Sequence, residues 1–317
     1  MGLKEIEKQV QSEINQKRNK ALSEADLMLS KLFEDKMAEE IFGKYQTLKI
    51  EYAKAVFKKD SIVSNSILKS LNSLKAEMQK IIKSKNINPN DLKPKFECSI
   101  CHDEGIINGK KCECFKRLQS IKLIEASGVG NKLPSFEGSD LSVIKDKLQK
   151  ENLEKIQNLL KTFCDKIDET KYNVVLLSGE VGVGKTYQME CVINELINKG
   201  KFVLYSTAFN LNKRLLECHI SDFENKNEIL SEFLDCDVLC IDDLGSENIT
   251  KNVTIEYFFA ILNERGINKK KTIITTNLNI SQLSDKYGER ICSRLVDRNN
   301  CLKLEIKGKD LRIKSSI

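Results

Sequence analysis

The octapeptide Gly179-Glu180-Val181-Gly182-Val183-Gly184-Lys185-Thr186 matches the phosphate-binding pattern G-x-x-x-x-G-K-[ST] in full. Its chemistry is that of a polyphosphate cradle. Gly179, Gly182 and Gly184 let backbone N–H groups close around phosphate oxygens, and the start of a following helix adds positive potential. Lys185 is placed to bridge the β- and γ-phosphates, and Thr186 to ligand Mg²⁺. ATP with Mg²⁺ is therefore the expected ligand.

Three more groups downstream suit the same chemistry. The apolar run Val238-Leu239-Cys240-Ile241 ends in Asp242-Asp243, the Walker B pattern, in which the first acid holds Mg²⁺ through water. Asp242 takes that role, and Asp243 is the candidate to orient or activate the attacking water. Most ATPases of this pattern carry Glu there, and the shorter Asp points to slow, regulatory turnover. Asn277 ends the run Thr272-Ile-Ile-Thr-Thr, where a polar side chain can be aimed at a γ-phosphate as a sensor; a turn-forming Asn fits the same position. In Glu289-Arg290-Ile291-Cys292-Ser293-Arg294, an arginine acting in trans can stabilise the charge that develops on a transferred phosphoryl group. Arg294 is the preferred finger and Arg290 the reserve, with surface ion pairing as the bland alternative.

A second kind of chemistry lies upstream. Cys98, Cys101, Cys112 and Cys114 follow C-x₂-C-x₁₀-C-x-C around a loop holding Gly105 and Gly109. Four thiolates from two short turns suit tetrahedral Zn²⁺. A redox or iron–sulfur role is the competing reading, and His102 is a possible substitute ligand. The other seven of the eleven cysteines sit in apolar surroundings and read as small buried hydrophobes.

The elements that must hold these groups are visible in the composition. The chain has 317 residues, 40% hydrophobic and 31% charged, with no tryptophan. No stretch approaches a membrane span, and the charged N-terminus lacks an export signal, so the expected location is cytoplasmic, without a membrane partner. A reducing compartment argues against a disulfide framework. The net charge of +6 lies in residues 1–96, which hold 19 basic and 13 acidic residues; a solvated helical face explains this, as does an acidic partner. All three prolines fall between 89 and 134, marking a connector. Before them, Ile67, Leu71, Leu74, Met78 and Ile81 make an a/d-like seam, with Asp60 or Ser61 as its cap. Leu3, Ile6, Val10 and Ile14 make a shorter stripe, and the segment reads as a small helical bundle. After a helix over 141–168, five apolar runs alternate with helices: 172–178, 202–206, 238–241, 272–276 and 301–306. This alternation predicts βαβ units, an α/β fold with a mainly parallel sheet.

Taken in order, GEVGVGKTY, VLCIDDLGSE, TIITTNLN and ERICSRL, preceded by CSICHDEGIINGKKCECFKR, resemble the DnaC/DnaI bacterial replicative-helicase loaders, which are AAA+ ATPases. The resemblance covers about residues 98–317; the N-terminal helices are similar only in placement and character. It implies a helical helicase-docking domain over 1–90, a zinc-binding connector over 91–134, and an AAA+ ATPase domain over 135–317 without a separate lid. It implies binding to the replicative DNA helicase hexamer and to single-stranded DNA, and head-to-tail self-association in which one subunit's arginine completes its neighbour's site. It also suggests DNA-backbone contacts for Lys213 and Arg214 and a sensor-2 role for Arg312. A transposition-helper ATPase of the same clade is the runner-up, which the cysteine segment disfavours. A nucleotide-binding adaptor that needs no hydrolysis is the third reading, kept open by Asp243.

Overall fold

A computed structural model describes residues 2–128 and 132–312, with Lys251 described by its backbone alone. The chain forms two compact units, one of Met1–Val10 with Lys110–Ile317 and the other of Gln11–Gly109. Helix α1 (Leu3–Phe33) contributes to both.

The unit Gln11–Gly109 continues with α2 (Lys36–Phe57), α3 (Ser61–Ser84) and the short strand β1 (Ile106–Ile107). Asp35 and Asp60 start the two helices by accepting backbone N–H groups at their first turns. The expected alternative, Ser61, is the first helical residue instead. Helices α2 and α3 pack on each other. Leu32, Ala38 and Ile82 form the small buried cluster, with Met78 and Ile81 of the predicted seam against it.

The larger unit opens with β2 (Lys110–Lys111) and α4 (Glu113–Ala126), followed by α5 (Lys147–Asp165). Then come β3 (Val174–Gly179), α6 (Lys185–Asn198), β4 (Val203–Thr207), α7 (Ala208–Ile220), α8 (Phe223–Asp235) and β5 (Val238–Leu244). The last elements are α9 (Glu256–Ile267), β6 (Lys271–Thr276), α10 (Ile280–Tyr287), α11 (Glu289–Val296) and β7 (Cys301–Ile306). Each of the five predicted runs is a strand, within two residues at either end except at 238–241, where β5 continues to Leu244. The strands form one parallel sheet in the order β4-β5-β6-β3-β7. The phosphate loop leaves β3, an interior strand, and the central strand β6 separates it from β5. This is a P-loop AAA+ sheet.

Both faces of the sheet are covered, so its strands are apolar on both sides. Val175, Leu177, Cys240 and Ile273 face one core with Leu160, Val192 and Leu196. Leu176, Leu239, Ile241 and Ile274 face the other with Leu215, Phe258, Leu283 and Leu295. Cys164, Cys191, Cys218, Cys236, Cys240, Cys292 and Cys301 are all buried, as small apolar fillers; burial pushes the Cys164 and Cys191 thiols up to about 12. Arg265 is 1% exposed, yet its guanidinium is fully employed. It donates to the carbonyls of Phe233, Cys236 and Lys271 and to Thr272 Oγ1, pinning α9 to the edges of β5 and β6. No helix among the described residues is long and apolar enough to cross a membrane.

Candidate nucleotide site

The loop between β3 and α6 needs backbone shapes that only glycine takes easily. Gly184, at φ 100°, is the residue before α6 and turns the helix start toward the cavity. At Gly179 a Cβ would lie 2.3 Å from the carbonyl oxygen of Ile306, so β7 itself excludes a side chain. The loop borders a cavity of about 560 Å³. Leu141, Ile144, Gln188, Asp242, Asn277 and Arg312 are among its other walls.

The expected phosphate ligands converge here. Lys185 Nζ donates to the carbonyls of Gly179 and Glu180 at 2.9 and 2.6 Å and to Asn277 Oδ1 at 2.5 Å. Burial lowers the Lys185 pKa, against the pull of Asp243 and Asp242. An ammonium stripped of water in this way gains from a polyanion. Thr186 Oγ1 lies 3.1 Å from both carboxylate oxygens of Asp242. Asn277 Nδ2 donates to Asp243 Oδ1 at 2.8 Å, so one amide spans Lys185 and Asp243.

Two residues of this network were not foreseen. Thr275 Oγ1 donates to Asp242 Oδ1 at 2.5 Å and accepts the Asp243 N–H at 2.8 Å. Tyr205, on β4, donates its hydroxyl to Asp242 Oδ2 at 3.1 Å; burial and Asp242 raise its pKa. In the sequence both look like ordinary strand residues, and only strand adjacency gives them this role. The ladder between β5 and β6 slips between Ile241 and Leu244, and Asp243 has φ 57°. That bulge turns Asp243 toward Asn277.

The cavity fits ATP and Mg²⁺ on its own evidence. It holds an ammonium, a helix start, and a hydroxyl–carboxylate pair suited to Mg²⁺. Gln188 Oε1 is a buried acceptor with no hydrogen-bond partner, on a residue that lines the cavity.

Of the remaining predicted residues, Arg312 lies at the cavity and the others do not line it. Arg290 and Arg294 do not line the cavity; both guanidiniums stack on Phe259, at 4.1 and 4.2 Å, and Arg294 also donates to Asn263 Oδ1 at 2.8 Å. Arg312 is at the cavity with Asp310 as its partner, Nε to Oδ1 at 3.3 Å. Arg214 is held by Glu217 and Glu232, at 2.6 and 2.5 Å, while Lys213 beside it is exposed.

The cysteines show features of thiolate ligands. The turn after Cys98 runs through Cys101 to His102 and Asp103, which adopt left-handed backbone. The Asp103 carboxylate holds that turn by accepting the N–H groups of Glu97 and Cys98. Gly105 N–H donates to Cys101 Sγ at 3.3 Å, which favours the anionic sulfur. Cys112 immediately precedes α4, whose N-terminus favours a thiolate. As a donor set the four cysteines are compatible with zinc, and that set does not include His102.

Part of this chain is similar to known proteins. A family model described as IstB-like ATP binding protein matches residues 140–317, more than half of the chain. The replicative helicase loader DnaC of Escherichia coli strain K12 is 26% identical over 120 residues, 38% of this chain and 49% of that protein. The chromosomal replication initiator protein DnaA of Campylobacter jejuni strain 81-176 is 34% identical over 139 residues, 42% of this chain and 29% of that protein. A crystal structure of DnaI superimposes with a TM-score of 0.44 at 25% identity, covering 56% of this chain and 90% of that one. The chain thus aligns with about half the length of the DnaC relatives it matches. With the phosphate loop, the Walker B strand and the parallel sheet all inside the matched region, the chain belongs to the IstB-like ATP binding protein family.

Proposed function

We propose that this protein is an ATP-dependent loader that binds the hexameric replicative DNA helicase and delivers it onto single-stranded DNA. The observation that carries the ATPase part is the linked set Lys185–Asn277–Asp243 beside Thr186–Asp242. In this reading Lys185 neutralises the β- and γ-phosphates, and Thr186 with Asp242 holds Mg²⁺, which offsets phosphate charge when bound. Asp243 orients water, and Asn277 senses whether the γ-position is filled. Arg312 contributes from the C-terminal side of the cavity.

Arg294, with Arg290 in reserve, serves the site of a neighbouring subunit. Its stacking on Phe259, away from its own cavity, supports that reading. Subunits then assemble head to tail. The N-terminal helices over 1–90 are the helicase-docking part, the segment 91–134 with Cys98, Cys101, Cys112 and Cys114 a zinc-held connector, and 135–317 the ATPase domain. Lys213 is the better DNA contact of its pair, because Arg214 is committed to two glutamates. The place of action is the cytoplasm.

The test is size-exclusion chromatography with light scattering on this protein and its host's replicative helicase, with and without ATP. A discrete co-complex that depends on nucleotide supports the loader. Absence of a complex in both conditions overturns it and turns attention to a transposase as partner. A complex that Lys185→Ala leaves fully functional in helicase loading identifies an adaptor that needs no hydrolysis.

A further inference from the structure

The turn that leaves the Walker B strand is clamped by a group of residues that touches no expected ligand. Glu247 is only 4% exposed, and its carboxylate is fully used. Oε2 accepts the N–H of Gly245 at 3.0 Å, and Oε1 accepts the hydroxyl of Tyr287. Lys286 Nζ donates to the carbonyls of Gly245 and Glu247, at 2.5 and 2.8 Å. Lys286 and Tyr287 are the last two residues of α10.

Only Gly288, at φ 83°, separates them from α11, the helix that carries Arg290 and Arg294. Tyr287 is 1% exposed and meets Phe258 edge to face, beside the Phe259 on which both arginines stack. Burial and the Glu247 carboxylate both raise the Tyr287 pKa, so its hydroxyl stays a donor.

A buried carboxylate is costly unless its hydrogen bonds are complete. Here they are completed by two segments far apart in sequence: residues 245–247, just past Asp242 and Asp243, and the end of α10. Asp243 already has left-handed backbone and lies in a slipped ladder.

We infer that Glu247 and Tyr287 are positioning residues that tie the Walker B turn of a subunit's own site to the arginine helix it presents to a neighbour. This rests on the proposed head-to-tail assembly with Arg294 acting in trans. The carboxylate–phenol link holds the arginine helix of one subunit in place for the site of the next.

The test is subunit mixing. Tyr287→Phe should leave ATP affinity within about twofold of wild type and lower kcat about tenfold, the scale of one lost charge-assisted hydrogen bond. A Lys185→Ala subunit has no working site of its own but carries an intact α11. Mixed one to one with Tyr287→Phe, it should raise the rate to about a quarter of wild type, the share of sites that random head-to-tail pairing completes. Glu247→Gln, which keeps size and folding, should behave in the same way.

An Arg294→Ala subunit mixed with Lys185→Ala is the control. If that pair recovers activity while Tyr287→Phe and Glu247→Gln do not, the link is overturned and those variants fail in their own site. If the control pair stays inactive, the trans-arginine reading falls, and the link falls with it.

Discussion

The two compact units use their apolar residues in opposite ways. In the unit that holds the phosphate loop the strands are covered on both faces, and residues such as Val175, Leu239 and Ile274 are fully buried. In the unit Gln11–Gly109, α3 buries only Leu71 and Ile82, while Phe57 is 90% and Ile62 82% exposed at the turn between α2 and α3. A sheet with helices on both sides buries most residues of its inner strands on either face. A helical hairpin buries one stripe and leaves the rest to solvent or to a partner. One unit encloses its apolar residues, and the other leaves several of them exposed.

The sharpest way to break this contrast is at the phosphate loop. Lys185→Ala should reduce hydrolysis by about a hundredfold or more and weaken ATP binding about tenfold or more, since a charge-assisted contact to phosphate is lost. Unchanged affinity in a fluorescent-nucleotide titration would remove the site assignment. A structural effect of similar size is expected at Arg265. Arg265→Leu leaves the carbonyls of Phe233, Cys236 and Lys271 without their donor and should cost about 3–5 kcal/mol in urea unfolding. A loss below 1 kcal/mol would show that the buried guanidinium does not pin the sheet.

Cys98→Ser with Cys101→Ser should abolish stoichiometric zinc and destabilise the connector by several kcal/mol, as expected when metal binding is coupled to folding. Metal analysis together with thermal unfolding reads both, and retained zinc contradicts the ligand set. Thr275→Val keeps the shape but removes the hydroxyl between Asp242 and Asp243. It should lower kcat about tenfold with little change in ATP affinity, whereas Thr275→Ser should restore most of the rate.

The smallest stability effect belongs to the exposed turn. Phe57→Ser should change stability by less than about 0.5 kcal/mol and yet weaken the helicase co-complex. An unchanged complex would place the docking surface elsewhere on the helical unit.

The local part of the fold was readable because local rules govern it. The five strands follow from apolar runs between helical segments. The phosphate loop follows from glycine spacing, and the start of α3 from Asp60. The site was readable where a short motif supplies it: Lys185 and Thr186 lie in one loop, Asp242 and Asp243 at one strand end, and Asn277 just past another. Thr275, Tyr205, Glu247 and Tyr287 carried no such signal. Threonine and tyrosine are common strand and core residues, and a buried glutamate cannot be told from an exposed one by type.

The sequence by itself determined the chemistry: a polyphosphate cradle, two acids at a strand end, four clustered cysteines and a pair of arginines. Tertiary structure alone decided which side chains share a hydrogen bond. The parallel order β4-β5-β6-β3-β7 puts β6 between the loop after β3 and the acids of β5. Asn277 can therefore span Lys185 and Asp243, although 92 residues separate it from Lys185. It also decided that Arg294 rests on Phe259 rather than at its own cavity. Hydrogen bonds and ring contacts act over a few ångströms, and for residues far apart in the chain only folding sets such distances.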